Sequence, residues 1–372
     1  MSTNARNSTQ VGAPTSLRIV HVANAKVRGG LMRVVESLAC AQAHLHEVIV
    51  WSPLWPEVSP QPPLLHWDSL DLRGNAHLLR HRRWLTRLAA VRPDVVILHA
   101  SSPGELAMAA ALAASRWPVI VVEHSPQFYP LKSAWRARAF ASCKLRATRW
   151  VSVSASGARA LEREWQLESG RIGVIHNGVD VPSDRPPDSD LDREPFRSGA
   201  TVLSAGLPTT DKGLGTFIAV AEALSRSRPD IRWVWVGGTE RGRMEAVELL
   251  PWSATLGWML RRSRLVLLPS RAEGLPLLLL EAMACSRSVV ASRIGGIPEV
   301  IVDGANGALV AADDTAGWIS VVARLLDDPL ACADMGRRGE RTWSERFTVE
   351  AMTSRWEEAI NLAVSIHATS RR

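Results

Sequence analysis

Two carboxylates stand eight positions apart in the second half of the chain, at the start of an apolar run. Glu273 lies in a loop-like stretch, and Glu281 follows inside a segment of leucines that is typical of a buried helix. Pro276 suits the first turn of a helix, and Gly274 lets the loop bring its backbone amides close to a ligand. A buried carboxylate needs hydrogen-bond donors, which sugar hydroxyls, an arginine or a backbone amide can supply. The pair is therefore a candidate site for a hydroxyl-bearing ligand.

A single lysine stands in a loop after the first apolar strand of the same half. Lys212 lies near the end of the segment Gly206 to Gly213, which is typical of a strand end, a loop and a helix start. An ammonium group beside helix-terminal amides can neutralise a diphosphate, so this loop is a candidate anion site. The alternative is an exposed lysine that binds nothing.

A glycine pair opens the first helix that the sequence predicts. Gly29 and Gly30 follow the first apolar strand and would let backbone amides approach a phosphate or a sugar. The pattern is not the G-x-G-x-x-G fingerprint of dinucleotide-binding proteins, and a plain tight turn explains it equally well. An oxidoreductase that uses nicotinamide therefore gains little support.

Short apolar runs alternate with helical stretches and define the elements that would carry these residues. Strands are predicted at 17–22, 48–51, 95–98, 119–122, 151–153, 172–175, 201–205, 232–236, 265–268 and 289–291, and helices at 213–226, 276–284, 315–326 and 349–368. The strands are apolar on both faces, which is typical of parallel sheets covered by helices. The predicted fold class is α/β, with two Rossmann-like domains whose strand ends face a central cleft.

A stretch rich in proline, aspartate and serine divides the chain. It predicts a linker at 183–199, between a first domain at 17–182 and a second at 200–345. The polar start, 1–16, reads as a disordered tail. The last segment, 346–372, is helical in pattern and lies too far along the chain to belong obviously to the second sheet.

Composition argues against several classes of protein. No apolar run reaches the roughly 18 residues of a membrane span, and the start lacks the apolar core of a secretion signal, so we expect a cytoplasmic protein. The four cysteines are scattered, with neither a zinc pattern nor a disulfide framework. Asp188, Asp190 and Asp192 alternate like metal ligands, but they lie in the linker and lack the glycine of a calcium loop. We therefore expect no metal site and no cofactor.

Positive charge is concentrated in the first half of the chain. Residues 1–150 carry 18 Lys and Arg against 8 Asp and Glu, a net charge of +10, whereas the remainder carries 26 against 29, a net charge of −3. Arg136 and Arg138 belong to the segment 131–150, which contains no acid. Such a surface would attract anionic substrates or an anionic membrane, or it is a solvated helix face. It carries no nucleic-acid reading motif, so we expect no nucleic-acid partner.

Several segments, taken in order, resemble the retaining nucleotide-sugar glycosyltransferases of family 4, which have the GT-B fold. The similarity covers roughly 17–363, nearly the whole chain, and its most specific part is the pair of glutamates. The matching blocks are the glycine loop Gly29-Gly30, the histidine strand 121–124, the serine strand 151–154, the Asn-Gly-Val-Asp block 174–180, and the pair Glu273 and Glu281 before Ala282-Met283-Ala284.

The resemblance implies a donor site made by both domains. Glu281 would bind the ribose hydroxyls of the donor, Glu273 the transferred sugar and Lys212 the diphosphate. His124 would lie beside the reacting face of the sugar and form the catalytic pair with Glu273. The other donor-binding positions that the resemblance implies are Gly29, Gly30, Gly206, Gly274, Leu275, Pro276 and Leu277.

The resemblance also implies the reaction. A sugar would pass from a nucleotide-diphosphate sugar to a glycan or a lipid-linked acceptor, with retention at the anomeric carbon and without a metal. The acceptor would attack on the face that the diphosphate leaves, with the donor phosphate as base. The basic first domain, with Arg33, Arg136 and Arg138, would bind the acceptor. A lipid-linked acceptor would be bound at the inner face of the membrane. The last helix would cross back onto the first domain.

Three departures from the family pattern keep other functions open. Leu207 stands where an arginine usually shares the diphosphate with the lysine, and the stretch 257–269 is shorter than in relatives. Ser286-Arg287-Ser288 replaces the usual Gly-x-Pro. An altered donor, a slow enzyme or a degenerate scaffold that binds a nucleotide sugar or a partner would each explain these changes. A nucleotide-sugar epimerase, which shares the two-lobed fold, is a further alternative.

Overall fold

The computed structural model describes residues 16–23, 29–55, 62–69, 86–100, 117–124, 148–197 and 200–370. Within these ranges the chain forms two sheets of seven strands each, with helices packed against them. The predicted α/β class with two Rossmann-like domains is confirmed.

The first sheet is parallel throughout its described strands. Its elements are β1 (Arg18–Ala23), α1 (Gly30–Gln42), β2 (Glu47–Ser52), β3 (Leu65–Ser69), β4 (Val95–Ala100), β5 (Val119–Glu123), β6 (Arg149–Ser152), α2 (Ala155–Glu164) and β7 (Gly173–Val174). The spatial order is β3-β2-β1-β4-β5-β6-β7. Because the order reverses between β1 and β4, a crevice forms at the carboxyl ends of these strands, where α1 begins.

The second sheet repeats this arrangement, with one antiparallel edge strand. Its elements, with the linker helix α3, are α3 (Asp190–Arg193), β8 (Thr201–Ala205), α4 (Leu214–Ser225), β9 (Arg232–Gly238), β10 (Gly242–Met244), β11 (Val247–Pro251), α5 (Leu256–Arg262), β12 (Ser263–Leu268), α6 (Leu277–Ala284), β13 (Ser288–Ser292), β14 (Ala308–Val310), α7 (Thr315–Asp327) and α8 (Pro329–Arg346). The spatial order is β10-β11-β9-β8-β12-β13-β14. The order reverses between β8 and β12, so the loops after these two strands flank the second crevice.

The last helix, α9 (Val349–Thr369), returns to the first domain. It packs against α1 and against β4 and β5, and it buries Trp356 and Ile360. The chain crosses between the domains at a tight contact, because a Cβ on Gly178 would lie 2.2 Å from the carbonyl oxygen of Thr348. The predicted return of the last helix is confirmed.

Some elements differ from the sequence prediction. β3, β10, β11 and β14 were not predicted, because β3, β10 and β11 include polar residues and β14 has only three residues. The linker was expected to be without helix, but it contains α3 and a 3-10 turn at Glu194–Phe196. Phe196 is buried against Trp258, with ring centroids 5.8 Å apart, and this packing outweighs the weak local propensity.

The described residues test several other predictions only in part. No helix among the described residues is long and apolar enough to cross a membrane. Cys40, Cys285 and Cys332 are free thiols. Cys143, Arg136, Arg138 and all but the last residue of the predicted tail 1–16 lie outside the described residues.

Candidate functional site

The loops that flank the crevice of the second sheet meet at an ion pair. Lys212 follows β8, and Glu273 follows β12. Lys212 Nζ lies 2.7 Å from Glu273 Oε1, which also accepts a hydrogen bond of 2.8 Å from the Ser270 hydroxyl. The carboxylate is largely buried, whereas 38% of the lysine side chain is exposed. The ammonium charge is therefore fixed in place and remains open to an anion.

Two glycines let these loops approach each other and the first domain. Gly213 has a φ of 78°, and a Cβ there would lie 1.8 Å from the carbonyl oxygen of Pro269. A Cβ on Gly274 would lie 2.6 Å from the carbonyl oxygen of His124, just after β5. Only a residue without a side chain fits at either place. The Glu273 loop therefore touches the first domain at His124.

Glu281 lies within α6 and faces the first domain. Its side chain is 3% exposed, and Oε1 forms an ion pair with the guanidinium of Arg33 on α1. Oε2 is buried and has no hydrogen-bond partner among the described residues. A buried acceptor left without a donor costs about 1–3 kcal/mol, so a ligand that donates a hydrogen bond would be stabilised here.

A cavity of about 160 Å³ surrounds this ion pair between the domains. We call it the interdomain cavity. The first domain supplies Gly29 and Arg33, and the second supplies Glu281 and apolar side chains such as Leu256 and Leu260. The other residues that line it are Pro182, Ser183, Trp252, Ser253, Ala254 and Gly257. The lining thus combines a carboxylate that can accept from hydroxyl groups, a cation that can bind an anion, and an apolar wall.

The predicted loop residues after Gly274 lie in the contact between the domains. The Leu275 carbonyl accepts a hydrogen bond of 2.9 Å from the Asn177 side chain of the first domain. Pro276 precedes the first residue of α6, so the helix begins one position later than predicted. Leu277 lies against Gly30, because a Cβ on that glycine would be 3.8 Å from Leu277 Cδ1.

Two cations that the sequence singled out, Lys212 and Arg33, lie at the cleft. Gly206 lies beside Lys212, and Leu207 is 60% exposed and supplies no charge. Arg33, which was assigned to the acceptor, instead contacts Glu281 in the interdomain cavity. This contact joins residues 248 positions apart, so no local pattern could have revealed it.

A chain of hydrogen-bonded imidazoles runs across the first sheet towards the cleft. His124 Nε2 lies 3.0 Å from His99 Nδ1, and His99 Nε2 lies 2.9 Å from His21 Nδ1. His21 Nε2 lies 2.8 Å from the side-chain oxygen of Gln42 on α1. His21 and His99 are buried, while His124 is partly exposed at the cleft. The sequence predicted only His124. His21 and His99 lie on β1 and β4, and the sequence alone does not show that these strands lie beside β5.

Burial keeps these imidazoles neutral. It lowers the pKa of His21 and of His124 to about 4. Burial also lowers the pKa of His99 well below its usual value, and the neighbouring His124 and His21 lower it further. Each ring then carries one proton at neutral pH and can both donate and accept a hydrogen bond.

A further contact between the domains, made by Glu299, was not predicted at all. The Glu299 carboxylate of the second domain accepts hydrogen bonds of 2.8 and 2.7 Å from the amides of Ala155 and Ser156, at the start of α2. His176 Nε2 lies 2.9 Å from the same carboxylate. Burial acts to raise the pKa of Glu299, but these three hydrogen bonds outweigh it and lower the pKa. The negative charge caps a helix start across the domain boundary.

Two family models match the chain in succession. Glycosyltransferase Family 4 matches residues 28–182, and Glycosyl transferases group 1 matches residues 199–328. A D-inositol 3-phosphate glycosyltransferase of Mycolicibacterium smegmatis is 27% identical over 307 residues, which cover 72% of this chain and 68% of that protein. A protein of the same name from an Arthrobacter species is 30% identical over 212 residues, which cover 51% of this chain and 50% of that protein.

Solved structures share the fold at low sequence identity. HepE of Anabaena in complex with UDP-glucose has a TM-score of 0.76 and 18% identity, with 93% of this chain and 99% of that chain covered. A glycosyltransferase from Rickettsia africae has a TM-score of 0.77 and 18% identity, with 94% and 99% covered. The family models span both domains, and the fold agrees with them. The chain belongs to the GT4-type glycosyltransferases, with the GT-B fold.

Proposed function

We propose that this protein is a retaining, metal-independent glycosyltransferase whose donor is a nucleoside-diphosphate sugar bound between the two domains. The observation that carries the proposal is the Glu281 carboxylate, which is buried in the interdomain cavity with one oxygen lacking a donor. A ribose hydroxyl would supply that donor. The apolar residues Leu256 and Leu260 would lie against the base.

The diphosphate would be held by two cations, one from each domain. Lys212 is partly exposed at the end of its loop, and Arg33 reaches the same cleft from α1. We assign Arg33 to the donor because it lies against Glu281, and it would replace the charge that Leu207 lacks. These two charges would neutralise the leaving diphosphate, which is the task that a metal performs in other enzymes.

The imidazole chain would fix which nitrogen of His124 faces the sugar. With the Gln42 oxygen as the last acceptor, His21 Nε2 donates to it, and His99 and then His124 each donate through Nε2 to the next ring. His124 Nδ1 is then an acceptor, which can receive a hydrogen bond from a sugar hydroxyl. Glu273, beside Lys212, would bind a further hydroxyl of the same sugar. The acceptor would attack on the face that the diphosphate leaves.

In this proposal the acceptor binds to the first domain. The concentration of positive charge in residues 1–150 favours an anionic acceptor, such as a lipid-linked glycan at an anionic membrane surface. The relatives from Mycolicibacterium smegmatis and Arthrobacter are named for D-inositol 3-phosphate, which is also anionic. An inositol phosphate is therefore the first soluble acceptor to test.

The test is a transfer assay with a panel of nucleotide sugars in the presence of a chelator. We expect one donor to be consumed with release of its nucleoside diphosphate, and we expect the product to keep the anomeric configuration of the donor by NMR. Loss of activity in the chelator would contradict metal independence, and inversion would contradict retention. Conversion of the donor to its epimer without an acceptor would instead indicate an epimerase.

A further inference from the structure

A second and larger cavity lies at the end of the second sheet that is opposite the cleft. Its volume is about 790 Å³, and it includes Ser263 and Ser288, the first residues of β12 and β13. In a parallel sheet these amino-terminal ends lie opposite the carboxyl ends that form the cleft. The helix α5 separates the two spaces, because Leu256 and Leu260 line the interdomain cavity while Trp258 lines this one.

Seven arginines and no acidic residue are among the fifteen described residues that line this space, which we call the arginine cavity. The arginines are Arg193, Arg197, Arg261, Arg262, Arg264, Arg287 and Arg337. Five of them lie within 4.0 Å of a carboxylate outside the lining, on Asp184, Asp190 or Asp334. The Glu340 carboxylate, which accepts a hydrogen bond from the lining residue Ser286, is a fourth acid nearby. Seven positive charges against these four negative ones leave an excess at the walls.

Two of the seven arginines have no carboxylate partner among the described residues. Arg287 is half-buried and is fixed by backbone carbonyls, because Nε donates to Cys285 and Nη1 donates to Ser263 at 3.0 and 3.1 Å. Burial lowers the pKa of its guanidinium. The charge of Arg261 also lowers this pKa, whereas Cys285, Cys332 and Glu340 act to raise it. Arg264, at the start of β12, is also only partly exposed. These charges repel one another in a space that excludes part of the water.

One further cation on the walls, Arg262, is held on two sides. Arg262 lies over the ring of Trp258, with 4.3 Å from the guanidinium carbon to the ring centroid, and it pairs with Asp184 at 2.6 Å. Rigid guanidinium groups match the oxygens of phosphate in a bidentate way. The cavity is also larger than one phosphate ion requires.

We propose that the arginine cavity is a binding site for a phosphate ester or a diphosphate, separate from the donor site. An anion there would relieve the repulsion among Arg261, Arg264 and Arg287. Both a soluble phosphorylated compound and the headgroup of an anionic lipid carry this chemistry. The site does not depend on the proposed donor chemistry, because it shares no lining residue with the interdomain cavity.

The first experiment is a calorimetric titration of the full chain with inorganic pyrophosphate. All variants carry Lys212→Met and Arg33→Gln, so that the cleft lacks both of the cations to which we assign the donor diphosphate. We expect the double variant Arg264→Gln, Arg287→Gln to bind at least about tenfold more weakly than its parent, since each lost contact is charge-assisted. The exposed Arg324→Gln on α7 is the matched control and should bind like the parent. Equal binding by the double variant and the control would overturn the proposal.

The single variant Arg264→Gln guards against misfolding, because Arg264 makes no side-chain hydrogen bond or ion pair with described residues. The same proteins are then floated with vesicles of phosphatidylcholine, with and without phosphatidylglycerol. If only the pyrophosphate titration is weakened, the ligand is a soluble phosphate compound. If the double variant also loses its binding to the anionic vesicles, the ligand is a lipid headgroup. Unchanged behaviour in both measurements would refute the site.

Discussion

At the level of single residues, the proposed donor site rests on Glu281 and Arg33, and the ion pair between them occupies the place that we assign to a nucleotide. A bound nucleotide would separate the pair. Its ribose hydroxyl would donate a hydrogen bond to Glu281, and its phosphate would bind Arg33. The sequence predicted Glu281 from its spacing to Glu273. It placed Arg33 with the acceptor, because the contact of Arg33 with Glu281 joins two domains and no local pattern reveals it.

Replacing Arg33 with alanine tests this assignment. We expect weaker donor binding, by about tenfold or more, because a charge-assisted contact to the diphosphate is lost. The donor KM should rise, and lysine at this position should restore part of the loss. Arg159→Ala, at an exposed position on α2, is the control. A normal donor KM in Arg33→Ala, with impaired use of the acceptor, would return Arg33 to its first assignment.

Gly274→Ala tests the contact between the Glu273 loop and His124. The new Cβ would lie 2.6 Å from the His124 carbonyl oxygen, so the loop must move. We expect a loss of about 1–3 kcal/mol in the free energy of unfolding and a large fall in kcat. Gly215→Ala in α4 has no atom within 4 Å and should stabilise the protein by about 0.5–1 kcal/mol. Equal stability of the two variants, measured by urea unfolding, would disprove the tight contact.

At the level of elements, strand order decides which residues meet. Lys212 and Glu273 lie together because their loops follow β8 and β12, the two strands beside the reversal of order. The sequence predicted both strands and both loops, so this contact could be predicted from the sequence. The imidazole chain could not be predicted, since the order of the first sheet must be known before β1, β4 and β5 can be recognised as neighbours. The edge strand β3 was not predicted from the sequence, because it lacks a continuous apolar run.

The imidazole chain predicts acid sensitivity. The pKa of His21 is about 4 in the folded protein and about 6.5 when unfolded, so the unfolded chain binds more protons between these values. The stabilisation is complete above about pH 6.5 and is lost as the pH falls towards 4. From pH 7 to pH 5, His21 alone would cost about 2 kcal/mol. Urea unfolding at both pH values measures this, and His21→Phe should reduce the slope. A free energy that does not fall would contradict buried neutral rings.

At the level of the whole molecule, the last helix ties the two domains into one structure. The helix α9 continues from the second domain and covers the first, with Trp356 only 3% exposed. The sequence indicated this helix because its pattern continues beyond the second sheet. The cap of Glu299 on α2 joins the domains at a further point that no sequence pattern marks.

Trp356→Ala should therefore weaken the first domain more than the second. Removal of a buried tryptophan costs about 3–5 kcal/mol. By calorimetry we expect the unfolding transition to broaden or split, with the first domain unfolding at lower temperature. Leu362→Ala, at a position on α9 that is 45% exposed, is the control. A single transition shifted as a whole would show that the domains unfold together.

The most direct test of the donor site is a calorimetric titration of the full chain with UDP and GDP. We expect one of these nucleotides to bind, and Glu281→Gln to weaken its binding by about tenfold because a charged acceptor is lost. The exposed Glu222→Gln on α4 should bind like the unmodified chain. If neither nucleotide binds, or if Glu281→Gln binds as tightly as the control, a nucleotide site built on Glu281 is wrong.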